Sequence, residues 1–168
     1  MDEPRWLDDA ETDAWIGVVG LLMFLPVHLE EPLQAHGMTF FEYSIMAALS
    51  DTAERRLPMS TLAELTHGSL SRLSHAIKRL EKRGWVCRAP APQDGRVTVA
   101  QLTDEGLATM VAAAPDHVAS VRAGVVDALD EEQLAQLRTI CGAVLERIGP
   151  PGGIARVRDA DSSPPAGT

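Results

Sequence analysis

The chain predicts a mainly α-helical fold carrying one small β-hairpin, and three features of its 168 residues predict it. Apolar residues recur at intervals of three and four along most of the chain, the spacing that gathers them on one helical face. Asp, Ser and Thr stand just before these stretches, where they can cap helices, and Gly or Pro stands just after them. Only between Gly84 and Leu102 does the pattern change to short β-prone runs around a Pro- and Gly-rich turn.

The elements follow in order. Asp8 or Asp9 can cap a long helix with apolar positions Trp15, Val18/Val19, Leu22, Leu25, Leu29 and Leu33. Pro26 lacks a backbone donor, so a kink or break is expected there, and Gly37 closes the helix. Thr39 opens a second helix with Glu42 in capping-box position and Phe40, Tyr43, Ile45, Met46 and Leu49 as candidate core, running to about Asp51. Ser60 opens a short helix over Thr61–Thr66 in which Leu62, Ala63 and Leu65 can pack inward. Gly68 then permits a tight turn and Ser69 caps the next helix. There Leu70, Leu73, Ile77 and Leu80 form a single apolar stripe ending at Gly84. Trp85–Arg88 and Val97–Leu102 read as two strands around the turn Ala89–Arg96. Thr103 caps a helix interrupted or kinked near Pro115 that continues along Val118, Val121 and Val125. Asp130, with Gln133 in capping-box position, opens a last helix through Leu134, Leu137, Ile140/Cys141, Val144/Leu145 and Ile148, which stops at Gly149-Pro150. Gly152–Thr168 is expected to be a disordered tail.

With 45% hydrophobic residues, the chain has material for one domain, or for a small domain plus dimerisation elements. The most apolar run, Trp15–Val27, reads as too short for a membrane span and follows an acidic segment, so a cytoplasmic chain with no membrane partner is expected. Cys87 and Cys141 fit neither a disulfide framework nor a zinc site, and no two His stand at helical i, i+4 spacing. Neither cofactor nor metal is expected. Nucleophile elbow, phosphate loop, zinc helix and dinucleotide fingerprint are all missing from the sequence, which argues against an enzyme.

The formal net charge of -9 argues at first against a nucleic-acid partner, but its distribution argues for one. Ser69–Arg96 holds Arg72, Lys78, Arg79, Lys82, Arg83, Arg88 and Arg96 against Glu81 and Asp94, a local +5 in an otherwise acidic chain. Such an island can steer one face onto DNA while the remainder repels it; a solvated helix face has the same composition.

Two short helices joined by a Gly turn and followed by a hairpin make a winged helix-turn-helix, and the basic island falls on its second helix and wing. The N-terminal turns of that helix lie nearest the bases in this arrangement, which makes Ser69, Ser71, Arg72, Ser74 and His75 the candidate readers. Arg72 can donate two hydrogen bonds to a guanine edge, while Lys78, Arg79 and Lys82 suit phosphates. Arg96, beside Gly95, is a candidate minor-groove finger, and Arg88 is a further basic wing residue. Asp94 either holds a wing arginine by a charge-assisted bond or simply initiates the turn.

Leu62-Ala63-Glu64-Leu65, the run Ser69–Gly84 ending Arg79-Leu80-Glu81-Lys82-Arg83-Gly84-Trp85-Val86, then Arg88, Asp94-Gly95-Arg96 and Leu102-Thr103-Asp104-Glu105-Gly106 together resemble the core of the MarR family. The resemblance implies a homodimer with interlocked terminal helices and two winged helices on a palindromic operator in double-stranded DNA, usually acting as a repressor. Its layout divides the chain into an N-terminal dimerisation helix (8–36), the winged helix-turn-helix (39–103), C-terminal dimerisation helices (104–149) and the tail (150–168). Two departures stand out: Gly95 replaces the middle residue of an Asp-Arg-Arg wing, and His75 stands where a basic residue is common. The family also implies a small aromatic or anionic effector in a cleft, for which Trp15, His28, His36, Tyr43, His67 and Arg122 are candidates; each also reads as an ordinary core or surface residue. Cys87 and Cys141 are candidate redox thiols. Cys87 reads either as activated by Arg88 or as a small buried hydrophobe. A protein-binding winged helix is the remaining alternative, favoured by the overall acidity.

Overall fold

A computed structural model describes residues 4–91 and 94–149. The expected tail, and Pro92 and Gln93 of the wing turn, lie outside the described residues.

Helix α1 (Asp9–Ala35) starts at a capping box in which Asp8 accepts from the Glu11 amide and Glu11 accepts from the Asp8 amide. It runs unbroken through Pro26 and Pro32, contrary to the break expected at Pro26. Leu29 and Leu33, beyond Pro26, are buried, and that packing holds the helix on the C-terminal side of the missing bond. The continuation corrects a second expectation: at 27 residues the helix is long and apolar enough, by length and composition, to cross a membrane. Of its apolar stripe only Leu29 and Leu33 are buried, whereas Trp15, Val18 and Leu22 are exposed.

Helix α2 (Phe40–Ser50) has the expected Thr39/Glu42 capping box and sends Ile45, Met46 and Leu49 into the core. Strand β1 (Arg56–Pro58) is an element the sequence reading missed. Helix α3 (Met59–Leu65) follows, starting before Ser60, with Pro58 in the cap position and no side-chain cap bond. Helix α4 (Leu70–Lys82) is capped by Ser69 and buries Leu73, Ala76, Ile77 and Leu80. Leu70, expected in that stripe, is 58% exposed; as the first helical residue it projects past the end of the core, and Ala76 completes the buried face. Gly84 follows α4 at φ +75, the left-handed conformation that ends a helix without a Cβ penalty.

Strands β2 (Val86–Pro90) and β3 (Thr98–Leu102) pair antiparallel, with Val86 opposite Leu102 and Pro90 opposite Thr98. β1 adds to the far side of β3, Arg56 opposite Gln101, so the hairpin is part of a three-stranded sheet of order β1-β3-β2. Thr103 caps helix α5 (Asp104–Gly124), which continues through Pro115 without the expected interruption. It is packed along α1: His28 Nε2 lies 3.0 Å from the Ser120 carbonyl oxygen, and Ser120 Oγ donates to the His28 carbonyl. A short 3-10 turn (Val126–Ala128) leads to α6 (Glu131–Ile148), which opens with the expected Asp130/Gln133 capping box and buries no residue.

Two polar side chains sit where the helices meet. Glu42 is 1% exposed. Burial raises its pKa, but the Arg79 hydrogen bond, the Thr39 amide and the charges of Arg79 and Arg83 outweigh that and hold it below the usual carboxylate value. His117 of α5 stacks on Tyr43, ring centroids 4.5 Å apart, and lies 6.0 Å from Phe40. Its Nδ1 is buried with no hydrogen-bond partner among the described residues, and burial lowers its pKa.

Two expected outcomes follow from these sites. Glu42→Gln removes the ionic acceptor and lowers the unfolding free energy by about 1.5–3 kcal/mol, measured by urea titration. For His117, the unfolded imidazole takes its proton near pH ~6.5 while the folded one resists until lower pH. Its contribution is therefore complete above that value and is lost as the pH falls through it towards the folded pKa. His117→Phe should flatten this part of the Tm-against-pH curve, and an unchanged slope would remove the assignment.

Candidate nucleic-acid interface

Helices α3 and α4 and the β2–β3 hairpin form the winged helix-turn-helix. The backbone between the helices takes its left-handed step at His67 (φ +48), not at Gly68 as the sequence reading expected. Gly68 is needed for space: a Cβ there would lie 2.8 Å from Cζ of Phe41. At the start of α4, Ser69 Oγ accepts from the Arg72 amide at 3.2 Å, so this candidate reader already serves as the cap.

With the apolar side of α4 buried, its polar residues divide into two groups. Ser71, Ser74, His75, Lys78 and Lys82 are exposed, and neither lysine has an ion-pair partner among the described residues. Arg72, Arg79 and Arg83, at i, i+7 and i+11, follow one flank of the helix and meet the first turn of α2. The Arg72 guanidinium lies 4.2 Å from the centroid of the Phe41 ring. Arg79 Nε donates to Glu42 Oε1 at 2.7 Å, and Arg83 Nη1 donates to Glu42 Oε2 at 3.3 Å, with Arg83 also over the Trp85 ring. Arg79, expected as a phosphate ligand, therefore also serves the fold: a core carboxylate engages its Nε, while the side chain stays 52% exposed.

The wing shows a similar division. Arg88 makes a bidentate pair with Glu81 of α4, at 3.0 and 2.6 Å, which fastens the wing to the helix and commits the guanidinium. The Arg88 hydrogen bond holds the Glu81 carboxyl below its ordinary pKa, and the Arg88 pKa is raised in return. Asp94 Oδ1 accepts from both the backbone amide and Nε of Arg96, so it shapes the turn and touches the arginine together. The Arg96 side chain remains 93% exposed.

Within the single chain the six candidate effector residues do not share one pocket. His28 borders an open groove of about 500 Å³ between α1 and α5, and His36 is paired with Asp116 at 2.7 Å. His67 borders a separate hollow between α3 and α4, Tyr43 packs against the core, Trp15 is exposed on α1, and Arg122 is paired with Asp127. Cys87 and Cys141 are both exposed, which removes the buried reading of Cys87. The Arg88 charge expected to activate Cys87 is engaged by Glu81.

Phe41 and the core role of Glu42 are what the sequence reading missed. The available signal was the alignment of Arg72, Arg79 and Arg83 on one flank, which calls for acidic and aromatic partners on a neighbouring element.

Comparison with known proteins agrees with this geometry. The sequence profile described as "MarR family" matches residues 36–97, from the end of α1 to the wing. Sco3205, a MarR family transcriptional regulator from Streptomyces coelicolor solved in complex with DNA, is 40% identical with a TM-score of 0.84, covering 92% of this chain and 97% of that one. AbsC, a MarR family transcriptional regulator from the same organism, is also 40% identical, with a TM-score of 0.82 over 86% of this chain and 98% of the other. The HTH-type transcriptional regulator YhbI of Bacillus subtilis is 31% identical over 69% of this chain and 73% of its own length. A winged helix-turn-helix with a basic α4, in a chain this similar to those regulators over nearly its whole described length, leads to one assignment: the chain belongs to the MarR family of transcriptional regulators.

Proposed function

We propose that the chain acts in the cytoplasm as a homodimeric repressor, without enzymatic activity, binding a palindromic operator through α4 and the wing. The observation that carries this reading is the exposed face of α4, where Ser71, Ser74, His75, Lys78 and Lys82 are presented beside an exposed arginine at the wing tip. Hydroxyls and an imidazole suit base edges and phosphate oxygens, and the lysines are free to displace counterions. That Sco3205, 40% identical, is solved in complex with DNA supports the same use of the corresponding fold here.

Dimerisation rests on uncovered apolar surface. Ile16, Leu22, Phe24 and Val27 of α1 and Ile140, Val144, Leu145 and Ile148 of α6 are all exposed in the single chain. A surface of this kind on both terminal helices calls for a partner, and a second copy of the same helices supplies one of matching chemistry. The division of the chain into terminal dimerisation helices around residues 39–103 follows from this reading.

Operator binding is tested with the protein's own upstream DNA across a salt series. Binding should be specific and should weaken steeply with salt. Arg72→Ala should lose about 1–3 kcal/mol of base discrimination, and Lys82→Ala should weaken all duplexes alike and reduce the salt slope by about one. No salt-sensitive preference for any duplex, including selected random sequences, would overturn the reading. Sedimentation should give a dimer from buffer alone. Recovery only with detergent would show that α1 seeks a bilayer instead.

A further inference from the structure

We propose that Phe41 is a positioning residue for base reading: its ring holds the Arg72 guanidinium at the start of α4 and leaves the in-plane donors of that guanidinium free for a guanine edge. The inference rests on the reading of α4 as the DNA-recognition helix.

Phe41, the second residue of α2, is in contact with both parts of the adjoining motif. Its ring edge occupies the space beside Gly68, where a Cβ would come within 2.8 Å, so the ring and the α3–α4 turn are fixed against each other. Its face carries the guanidinium of Arg72 at 4.2 Å. The chemistry of that contact separates Arg72 from its neighbours. Arg79 and Arg83 each give one in-plane N–H to Glu42, which fixes the direction in which their remaining donors point. A cation–π contact takes up no hydrogen-bond acceptor, and no side-chain hydrogen bond engages the Arg72 fork among the described residues. Two parallel donors at the N-terminal turn of a recognition helix are what the O6 and N7 atoms of guanine accept. An arginine already held in one orientation also loses less conformational freedom on binding than a free one.

The test compares wild type, Phe41→Leu, Phe41→Tyr, Arg72→Ala and the double variant Phe41→Leu/Arg72→Ala, all checked for equal melting temperature. Binding is measured to an operator duplex and to random duplex. Phe41→Leu should weaken operator binding about three- to tenfold and leave random-duplex binding unchanged, and Phe41→Tyr should retain wild-type affinity. In the Arg72→Ala background the Phe41 change should have no further effect. Replacing operator guanines by 7-deazaguanine, which lacks the N7 acceptor, should weaken wild type at one position and leave Phe41→Leu nearly indifferent there. Equal losses with and without Arg72 would show that the ring acts on the fold and would overturn the proposal. Tighter binding by Phe41→Leu would also overturn it, by showing that the ring withholds Arg72. If Arg72→Ala weakens discrimination and Phe41→Leu does not, only the positioning role fails. If Arg72→Ala has no effect while salt-sensitive operator binding persists, the base contact fails with it and the regulator reading stands. Should Phe41→Leu not fold, Phe41→Met, whose unbranched side chain adapts to the gap without a flat face, replaces it in every arm.

Discussion

The carboxylate of Glu42 ties the recognition helix to the rest of the protein. One oxygen accepts from Arg79, and the other accepts from Arg83 and from the backbone amide of Thr39. The same side chain therefore caps α2 and fastens α4 against it. Removing such a carboxylate from water is costly, and only the convergence of two guanidinium groups and an amide makes the charged form favourable there. Apolar packing of Leu73, Ile77 and Leu80 is non-directional and would tolerate some rotation of α4 about its axis. Two charge-assisted bonds on one flank, at 2.7 and 3.3 Å, fix that rotation, and with it the set of side chains that faces outward.

This constraint changes how the basic island is used. Its formal +5 suggests a uniform positive surface, yet Arg79, Arg83 and Arg88 are each committed to a carboxylate of the same fold. Their charge still contributes to the field that attracts DNA, but part of each hydrogen-bonding fork is given to architecture. Lys78 and Lys82 have no ion-pair partner among the described residues, Arg72 makes no side-chain hydrogen bond there, and Arg96, though its Nε meets Asp94, keeps a side chain 93% exposed. In an acidic chain this division suits a protein whose approach to DNA is guided by a broad field and whose register is set by a few free groups.

What was legible in the sequence was local. The Thr39/Glu42 and Asp130/Gln133 capping boxes, the Ser69 cap and the Gly84 stop each depend on residues within one turn, and all appear at the expected places. The positions that escaped depend on partners far along the chain. β1 is three residues long with a proline, and it becomes a strand only because β3 offers it an edge. Pro26 and Pro115 read as kinks or breaks, and with α1 packed along α5 neither helix is broken there. The candidate readers Ser71, Ser74 and His75 lie on the exposed face of α4, but which arginines are engaged beside them is set by Phe41, Glu42 and Glu81, and only Glu81 lies on α4 itself. The effector candidates were chosen by residue type, and residue type does not bring side chains to one place.

The apolar part of α1 adds a geometric requirement to the proposed dimer. Leu21, Leu22, Met23 and Phe24 are consecutive and all exposed, Phe24 at 74%. Successive residues of a helix are about 100° apart, so these four sweep most of the circumference, and no flat helix-to-helix contact can cover them together. A helix apolar all round is stable only when enclosed, either by protein or by lipid. Helix α6, whose Ile140, Val144 and Ile148 are also uncovered, is the element with matching apolar surface available to wrap it from a second copy. The proposed interface is therefore an interlocked one, in which separating two copies would expose the whole N-terminal half of α1. On that geometry the spacing between the two recognition helices is set by the same enclosure that makes α1 stable, and a change that loosens α1 would alter operator fit without touching a DNA contact.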